Sequence, residues 1–246
     1  MTEPVDHFGE PIAEHYDETS DAMFDPAVVD PAVDLLAQLA AGGPALELGI
    51  GTGRIALPLA TRGVEVHGID LSEAMVARLR AKPGGDRIPV TMGDFTSATA
   101  GRPGTFRLAY LVFNSIMNVT TQAGQVDVFR NVAAHLEPGG RFVIETGVPD
   151  HRRLPPGERF VVFDVSDDHV GIDEYDVLNQ GLVSHHIQAF GDRLERSSGP
   201  FRYVWPAELD LMARIAGLEL TDRWAGWDRA PFTSESRSHV SVWRKP

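Results

Sequence analysis

Apolar positions along the chain follow two rhythms, and the change between them falls near residue 146. In the first part, "DPAVVDPAVDLLAQLAAGG" repeats apolar residues at helical spacing. Asp25 and Asp30 stand before prolines as N-caps and Gly42 and Gly43 act as the stop, so a helix is predicted over roughly 27–41. "ALEL" predicts a short buried strand, followed by a helix over 54–62 ended by Gly63. "VEVHGID" predicts a second strand, and Ser72 caps the helix "EAMVARLRA". "IPVTM" and "RLAYLVF" predict a third and a fourth strand, "QAGQVDVFRNVAAHL" a helix, "EPGG" a turn and "RFVIET" a fifth strand. Strands alternating with helices in this way predict a parallel sheet covered on both faces.

After Thr146 the helices drop out. "DHRRLPPGE" reads as a loop, and "RFVVFDV", "GIDEYDV", "LVSHHIQAF" and "RLERSSGPFRYVW" read as successive strands of an antiparallel meander inserted on the main sheet. "PAELDLMARIAGLEL" returns to helix, with Pro206 in its first turn and Gly217 near its stop; strands at 219–224 and at "HVSVWRK" close the chain. The lead-in before residue 25 is acidic and reads as exposed.

One short stretch stands apart from these elements. In "ALELGIGTGRIALPLA", Gly49, Gly51 and Gly53 crowd the passage from a buried strand into a helix. Glycines there cost stability unless the backbone must turn tightly or touch something. The position beyond a strand's carboxyl end is where open α/β sheets bind ligands. Asp70 ends the next strand, where a carboxylate accepts both hydroxyls of a ribose. A dinucleotide fingerprint would place its third glycine at position 54, which is Arg54. Glu47, inside the strand end, suits a cationic group and not a pyrophosphate, and so favours S-adenosyl-L-methionine (SAM).

These segments resemble the motifs of the class I SAM-dependent methyltransferases. "LELGIGTG" is similar to their first motif, "VHGIDLS" to the second, "MGDF" to the third and "AYLVFNSIMNV" to the fourth, with "LEPGGRFVIE" the passage that follows. The resemblance implies a Rossmann-like α/β fold: a seven-stranded, mostly parallel sheet with the antiparallel meander inserted. It also implies that Glu47, Gly49, Gly51 and Gly53 hold the methionine end and that Asp70 takes the ribose. Leu71 and Met75 would flank the adenine, Asp94 would bind its exocyclic amine, Phe95 would lie against its face, and Asn114 would sit below the sulfonium. Within the superfamily, "IAEHYD" and the meander resemble amino-sugar N,N-dimethyltransferases, and "AELDLMARIAGLEL" resembles the C-terminal part of cypemycin-type peptide N-methyltransferases. Tyr16 matches the lid tyrosine of the sugar enzymes. Where those enzymes carry a candidate basic histidine this chain has Asn118, which cannot accept a proton near neutral pH.

Composition narrows the partners. A formal net charge of -13 over 246 residues argues against a nucleic-acid partner, and no apolar run approaches membrane-spanning length. There is no cysteine, and the histidines and carboxylates show no metal-ligand spacing, so no metal is expected. His185 and His186 are strand neighbours on opposite faces, so one at most faces a pocket; a base at His186 competes with a structurally bonded histidine. "WDRAPFTSESRSHV" carries Trp227, Arg229 and Phe232, which either line an acceptor pocket or cover the sheet edge. The chain reads as one cytoplasmic domain: lid and helix over 1–41, SAM-binding core over 42–146, insertion over 147–205, last helix and strands over 206–246. The expected activity is methyl transfer from SAM to N or O of a small molecule or short peptide, with release of S-adenosylhomocysteine (SAH) and with Tyr16 and Asn118 at the acceptor. The alternatives are a SAM- or SAH-binding protein without transferase activity and an NAD(P)-dependent oxidoreductase.

Overall fold

The computed structural model describes residues 6, 8–150, 154–191 and 193–246. The N-terminal segment is largely exposed, as expected, and it is also helical. It forms α1 (Glu10–Ala13), α2 (Tyr16–Thr19) and a 3-10 turn over Asp21–Phe24 before α3 (Pro26–Ala40). Asp25 caps α3 by accepting from the Ala27 amide at 2.8 Å. Asp30 is not a cap: it lies inside α3, which continues through Pro31, and its carboxylate pairs with Arg62 at 2.9 Å.

The main layer follows as β1 (Ala45–Leu48), α4 (Ala56–Thr61), β2 (Val66–Asp70), α5 (Glu73–Ala81), β3 (Val90–Met92), β4 (Phe106–Leu111), α6 (Gln122–His135) and β5 (Leu136–Gly147). The insertion comes next, as β6 (Phe160–Val165), β7 (His169–Asp176), β8 (Gly181–Phe190) and β9 (Arg193–Arg202). It is followed by α7 (Pro206–Ile215), β10 (Glu219–Trp224) and β11 (Ser238–Arg244). Seven strands form the main sheet in the order β10-β11-β5-β4-β1-β2-β3. Pairing is parallel from β5 to β3, and antiparallel where β11 joins β5 and β10 joins β11.

Alternation along the strands divides the core. Tyr110, Val143, Val240 and Val242 face α3 and α4, joining Val33, Leu36 and Leu59. Phe142, Ile144 and Trp243 face α6 and α7, joining Phe129 and Leu209. The rings of Phe129 and Trp243 meet edge-to-face at 5.4 Å, a geometry that adds to the gain from burial.

Three local expectations change. The helix after the glycine loop begins at Ala56 rather than Arg54, because Gly53 still has φ +82 and the chain is still turning there. "EPGG" lies within β5: Leu136 pairs with Phe106, the chain bulges through Gly139 at φ +81, and pairing resumes at Arg141. The meander is a separate antiparallel sheet, β6-β7-β8-β9, hydrogen-bonded to itself and not to the main sheet. Buried Arg202, at the end of β9, fastens it: the guanidinium donates to Gln125 of α6, to Gln180 at 3.0 Å and to Glu208 of α7 at 2.7 Å. The loop expected at "DHRRLPPGE" lies partly outside the described residues.

Candidate active site

Strand order reverses at β1, whose neighbours are β2 and β4, and the crevice beyond the carboxyl ends of these strands is the binding position of open α/β sheets. The glycine loop crosses this crevice. Gly49, Gly51 and Gly53 have φ of +70, +55 and +82, which only glycine adopts without strain. They are not equivalent. A Cβ on Gly53 would stand 2.3 Å from Leu79 Cδ1, so this glycine lets the loop lie on α5. At Gly49 and Gly51 the nearest atoms to such a Cβ, on Phe95 and Met75, are 3.7 Å away, so bare backbone edges the crevice there.

Two carboxylates converge on the loop. Glu47 is 3% exposed and accepts from the Tyr110 hydroxyl at 3.0 Å. Burial pushes its pKa up to about 8, against the opposing effects of the Tyr110 bond and the Arg54 charge. A buried carboxyl in this state favours a cationic partner. Asp70, at the end of β2, is only 8% exposed. Its two oxygens accept from the Gly51 amide at 2.6 Å and the Ser72 amide at 2.8 Å, so it also braces the loop. Burial raises its pKa while these amides pull it down.

Tyr16 comes to the same place. Burial raises its pKa, and the charges acting on it are those of Arg54, Asp17, Asp70 and Glu47. Its hydroxyl therefore stays protonated at neutral pH. Two contacts of Asp17 hold the N-terminal segment over the loop, and a third ties the loop to the end of α5. The Thr52 hydroxyl donates to Asp17 at 2.6 Å, Lys82 pairs with Asp17 at 2.5 Å, and Lys82 Nζ also donates to the Thr52 carbonyl at 2.9 Å. Farther out, Ser72 Oγ donates to the Phe8 carbonyl at 2.8 Å.

The remaining candidates line the rim. Met75 is buried in the first turn of α5, just past half-buried Leu71. Asp94 opens a turn by accepting from the Thr96 amide at 2.8 Å, and Asn131 donates to the Phe95 carbonyl at 3.0 Å, which fixes the Phe95 ring beside Gly49. Asn114 has φ +61 beyond β4; its Oδ1 accepts from the Gly147 amide at 2.7 Å and the Thr146 hydroxyl at 3.1 Å. Asn118 is half-buried at the end of the 3-10 turn Ser115–Asn118. The structure thus gathers Glu47, Asp70, Tyr16 and the first two glycines, with Phe95 and Met75 against them, and sets Asn114 and Asn118 along the exit of β4.

Sequence reasoning missed Tyr110, although it is the residue paired with Glu47 across β1 and β4. It also missed the Asp17 contacts, which no periodicity signals. His185 and His186 occupy opposite faces as alternation requires, and both are hydrogen-bonded, His185 to Ser198 at 2.8 Å and His186 to His169 at 3.0 Å. The loop after β10 covers the sheet edge. Trp227 packs on the core, Arg229 lies 5.5 Å over the Trp224 ring, and Phe232 meets His239 at 5.9 Å. Among the described residues there is no cluster of three metal-ligating side chains and no helix long and apolar enough to cross a membrane.

A methyltransferase domain model matches residues 45–140. The chain is similar to the CcbJ methyltransferase from Streptomyces caelestis, at 40% identity and TM-score 0.85, covering 97% of each chain. It is 27% identical over 237 residues to the cypemycin N-terminal methyltransferase of a Streptomyces species, covering 92% of this chain and 96% of that protein. The SAM-bound structure of CalS10, an amino pentose methyltransferase from Micromonospora echinaspora, shares the fold at 22% identity and TM-score 0.70, covering 94% of this chain and 97% of that one.

Proposed function

The chain belongs to the SAM-dependent methyltransferases, and from that premise we propose that it methylates a nitrogen of a small molecule or short peptide and releases SAH. The observation that carries the cofactor reading is Glu47. The charged form of a carboxyl buried at the end of β1, with its pKa pushed up to about 8, gains from a positive ligand group beside it. SAM fits that requirement, since it brings a methyl group on a cationic sulfur beside an ammonium. In this reading Glu47 and the backbone of Gly49, Gly51 and Gly53 hold the methionine end, and Asp70 accepts from the ribose hydroxyls. Leu71 and Met75 flank the adenine, Asp94 takes its amine, and Phe95 covers its face. Asn114 lies under the reacting centre.

The chain's own work is then alignment and exclusion of water. Tyr16, a protonated hydroxyl held over the loop by the Asp17 contacts, orients the acceptor, and Asn118 lines its approach. Nitrogen is favoured over oxygen as the acceptor because the cypemycin enzyme is named for N-terminal methylation. Membership of the family disfavours both a non-catalytic binding protein and an oxidoreductase.

The experiment has two parts. Calorimetric titration with SAH and, separately, with NADH should show binding of SAH alone. SAH release from SAM is then measured with four acceptors: an alanyl peptide with a free N-terminus, proline amide, an amino sugar and a phenol. Turnover with at least one amine is expected. NADH binding without SAH binding would overturn the cofactor, and turnover with the phenol alone would overturn the nitrogen assignment.

A further inference from the structure

The second sheet has an inner face, fixed by several contacts. Pairing along β8 is unbroken from Gly181 to Phe190, so Leu182, Ser184, His186, Gln188 and Phe190 share one side. At one end of that side Leu182 is 8% exposed, and Arg202, opposite the neighbouring Gly181, anchors the sheet on α6 and α7. At the other end the Phe190 ring meets His15, next to Tyr16, at 5.9 Å. The sheet is therefore held through Arg202 of β9 at one end and touches the N-terminal segment through Phe190 of β8 at the other, and the residues of the Leu182 side between these points are Ser184, His186 and Gln188. On the same side Tyr175, opposite Leu182, and Val161, opposite Asp173, line a cavity of about 170 Å³ with Val148, Asp150 and Arg237. Val148 directly follows Gly147, whose amide bonds Asn114.

An unbroken line of hydrogen bonds starts on this face. Ser184 Oγ, 8% exposed, is 3.2 Å from His186 Nε2. His186 Nδ1 is 3.0 Å from His169 Nε2, and His169 Nδ1 is 2.6 Å from Asp164 Oδ2. The Asp164 side chain is 46% exposed. The carboxylate sets the tautomers, because a ring nitrogen facing it must carry hydrogen. His169 then donates to Asp164 and accepts from His186, which in turn accepts from Ser184. Every bond points from the buried end toward solvent.

We infer that the acceptor amine lies in the cleft between this inner face and the end of β5, and that its surplus proton leaves along Ser184, His186, His169 and Asp164. The inference rests on the proposed N-methylation. There the nitrogen lone pair forms the N–C bond as the C–S bond breaks and its electron pair returns to sulfur. The product nitrogen carries one proton too many. That proton passes to Ser184 Oγ as the serine's own proton moves to His186 Nε2. His186 hands its Nδ1 proton to His169, and His169 passes its own to Asp164 and water, so each group but the last is left neutral. Burial and the neighbouring imidazoles hold the His186 pKa below its usual value, so it is neutral and ready to accept at neutral pH.

Other groups surround the line. Asp173 is opposite Ser184, Ser197 opposite His186 and Glu195 opposite Gln188. The Phe163 ring lies 5.5 Å from His186, and Asp150 and Arg237 stand across the cavity. His185, bonded to Glu174, is on the far face.

The test uses the whole protein with SAM and the alanyl peptide or proline amide as acceptor. His186→Gln should lower kcat/KM roughly 100-fold, the scale of a lost proton acceptor, with SAH affinity unchanged and partial rescue by added imidazole. Asp164→Asn should lower kcat/KM roughly tenfold with SAH affinity unchanged, since the carboxylate that takes the proton from His169 Nδ1 is gone. His185→Gln should leave the rate unchanged. A second measurement needs no turnover. In long-range proton–nitrogen NMR of the SAH complex, His169 and His186 should both carry their hydrogen on Nδ1, and the His169 tautomer should change in Asp164→Asn. A His186 ring that carries its hydrogen on Nε2 overturns the relay, as does a His186→Gln enzyme within twofold of the parent that shows no imidazole rescue. A parent protein that binds SAH yet methylates none of the amines overturns the proposed reaction instead, and the NMR result then decides the relay alone.

Discussion

Glu47→Gln is the perturbation whose outcome follows most directly from the site. In the ligand-free protein the Glu47 pKa of about 8 means that roughly 90% of molecules carry its proton at pH 7. A sulfonium and an ammonium brought beside this carboxyl favour the charged form, so binding SAM should expel close to one proton, about 0.9 at pH 7. The assay is calorimetric titration in buffers of different ionisation enthalpy, whose slope gives the number of protons released. SAH, with the ammonium only, should release fewer. Glu47→Gln keeps a partner for the Tyr110 hydroxyl but has no proton to lose, so its slope should be zero and its SAM affinity lower. The same group governs stability. Its folded pKa lies above the unfolded value of 4.5, so the folded state holds the extra proton and the free protein loses stability as pH rises from about 4.5 to about 8. The span corresponds to about 5 kcal/mol at most, and Glu47→Gln should flatten it in denaturant melts. A parent protein that binds SAM at pH 7 with no proton release would refute the reasoning.

Three further outcomes follow. Asp70→Ala removes a ribose acceptor and leaves two buried amides unpaired; SAH affinity should fall roughly 100-fold and stability by about 2–4 kcal/mol, read by calorimetry and melting, and unchanged affinity would remove Asp70 from the site. Gly53→Ala puts a Cβ into Leu79 at a left-handed φ, which should cost about 2–4 kcal/mol in urea unfolding, while a neutral result would show that α5 yields easily. Asp17→Asn weakens the half-exposed contacts to Thr52 and Lys82, worth about 1 kcal/mol; SAH should dissociate roughly fivefold faster in stopped flow, with faster amide exchange over residues 10–24, and an unchanged rate would show that this segment does not gate release.

How much of this was legible in the sequence depended on whether a residue's role is written in local periodicity. The strand "ALEL" was readable as a short, wholly buried run and the helix "EAMVARLRA" by its apolar stripe, and Ser72 marked its helix start. The glycine loop was readable because three glycines in five residues have few other uses. Alternation also separated His185 from His186 correctly. The burial of Asp70 was not readable, because it depends on the Gly51 amide folding back 19 residues. Tyr110 looked like an ordinary apolar strand residue until β4 was set beside β1. The N-terminal segment hid its role most fully: its anchors are polar contacts to Thr52, Ser72 and Lys82, made across more than 30 residues of chain, and polar contacts leave no period. The bulge at "EPGG" likewise arises from where β5 meets β4, and its composition alone reads as a turn.

The most direct test of the account is transfer itself. The protein is incubated with SAM carrying a deuterated methyl group and with the amine panel, and the products are resolved by mass spectrometry. One deuterated methyl should appear on the nitrogen of an amine, in step with SAH and in reduced yield when Glu47→Gln is used at the same subsaturating SAM concentration. SAM left intact with every amine, in a protein that is folded and binds SAH, would contradict the assignment.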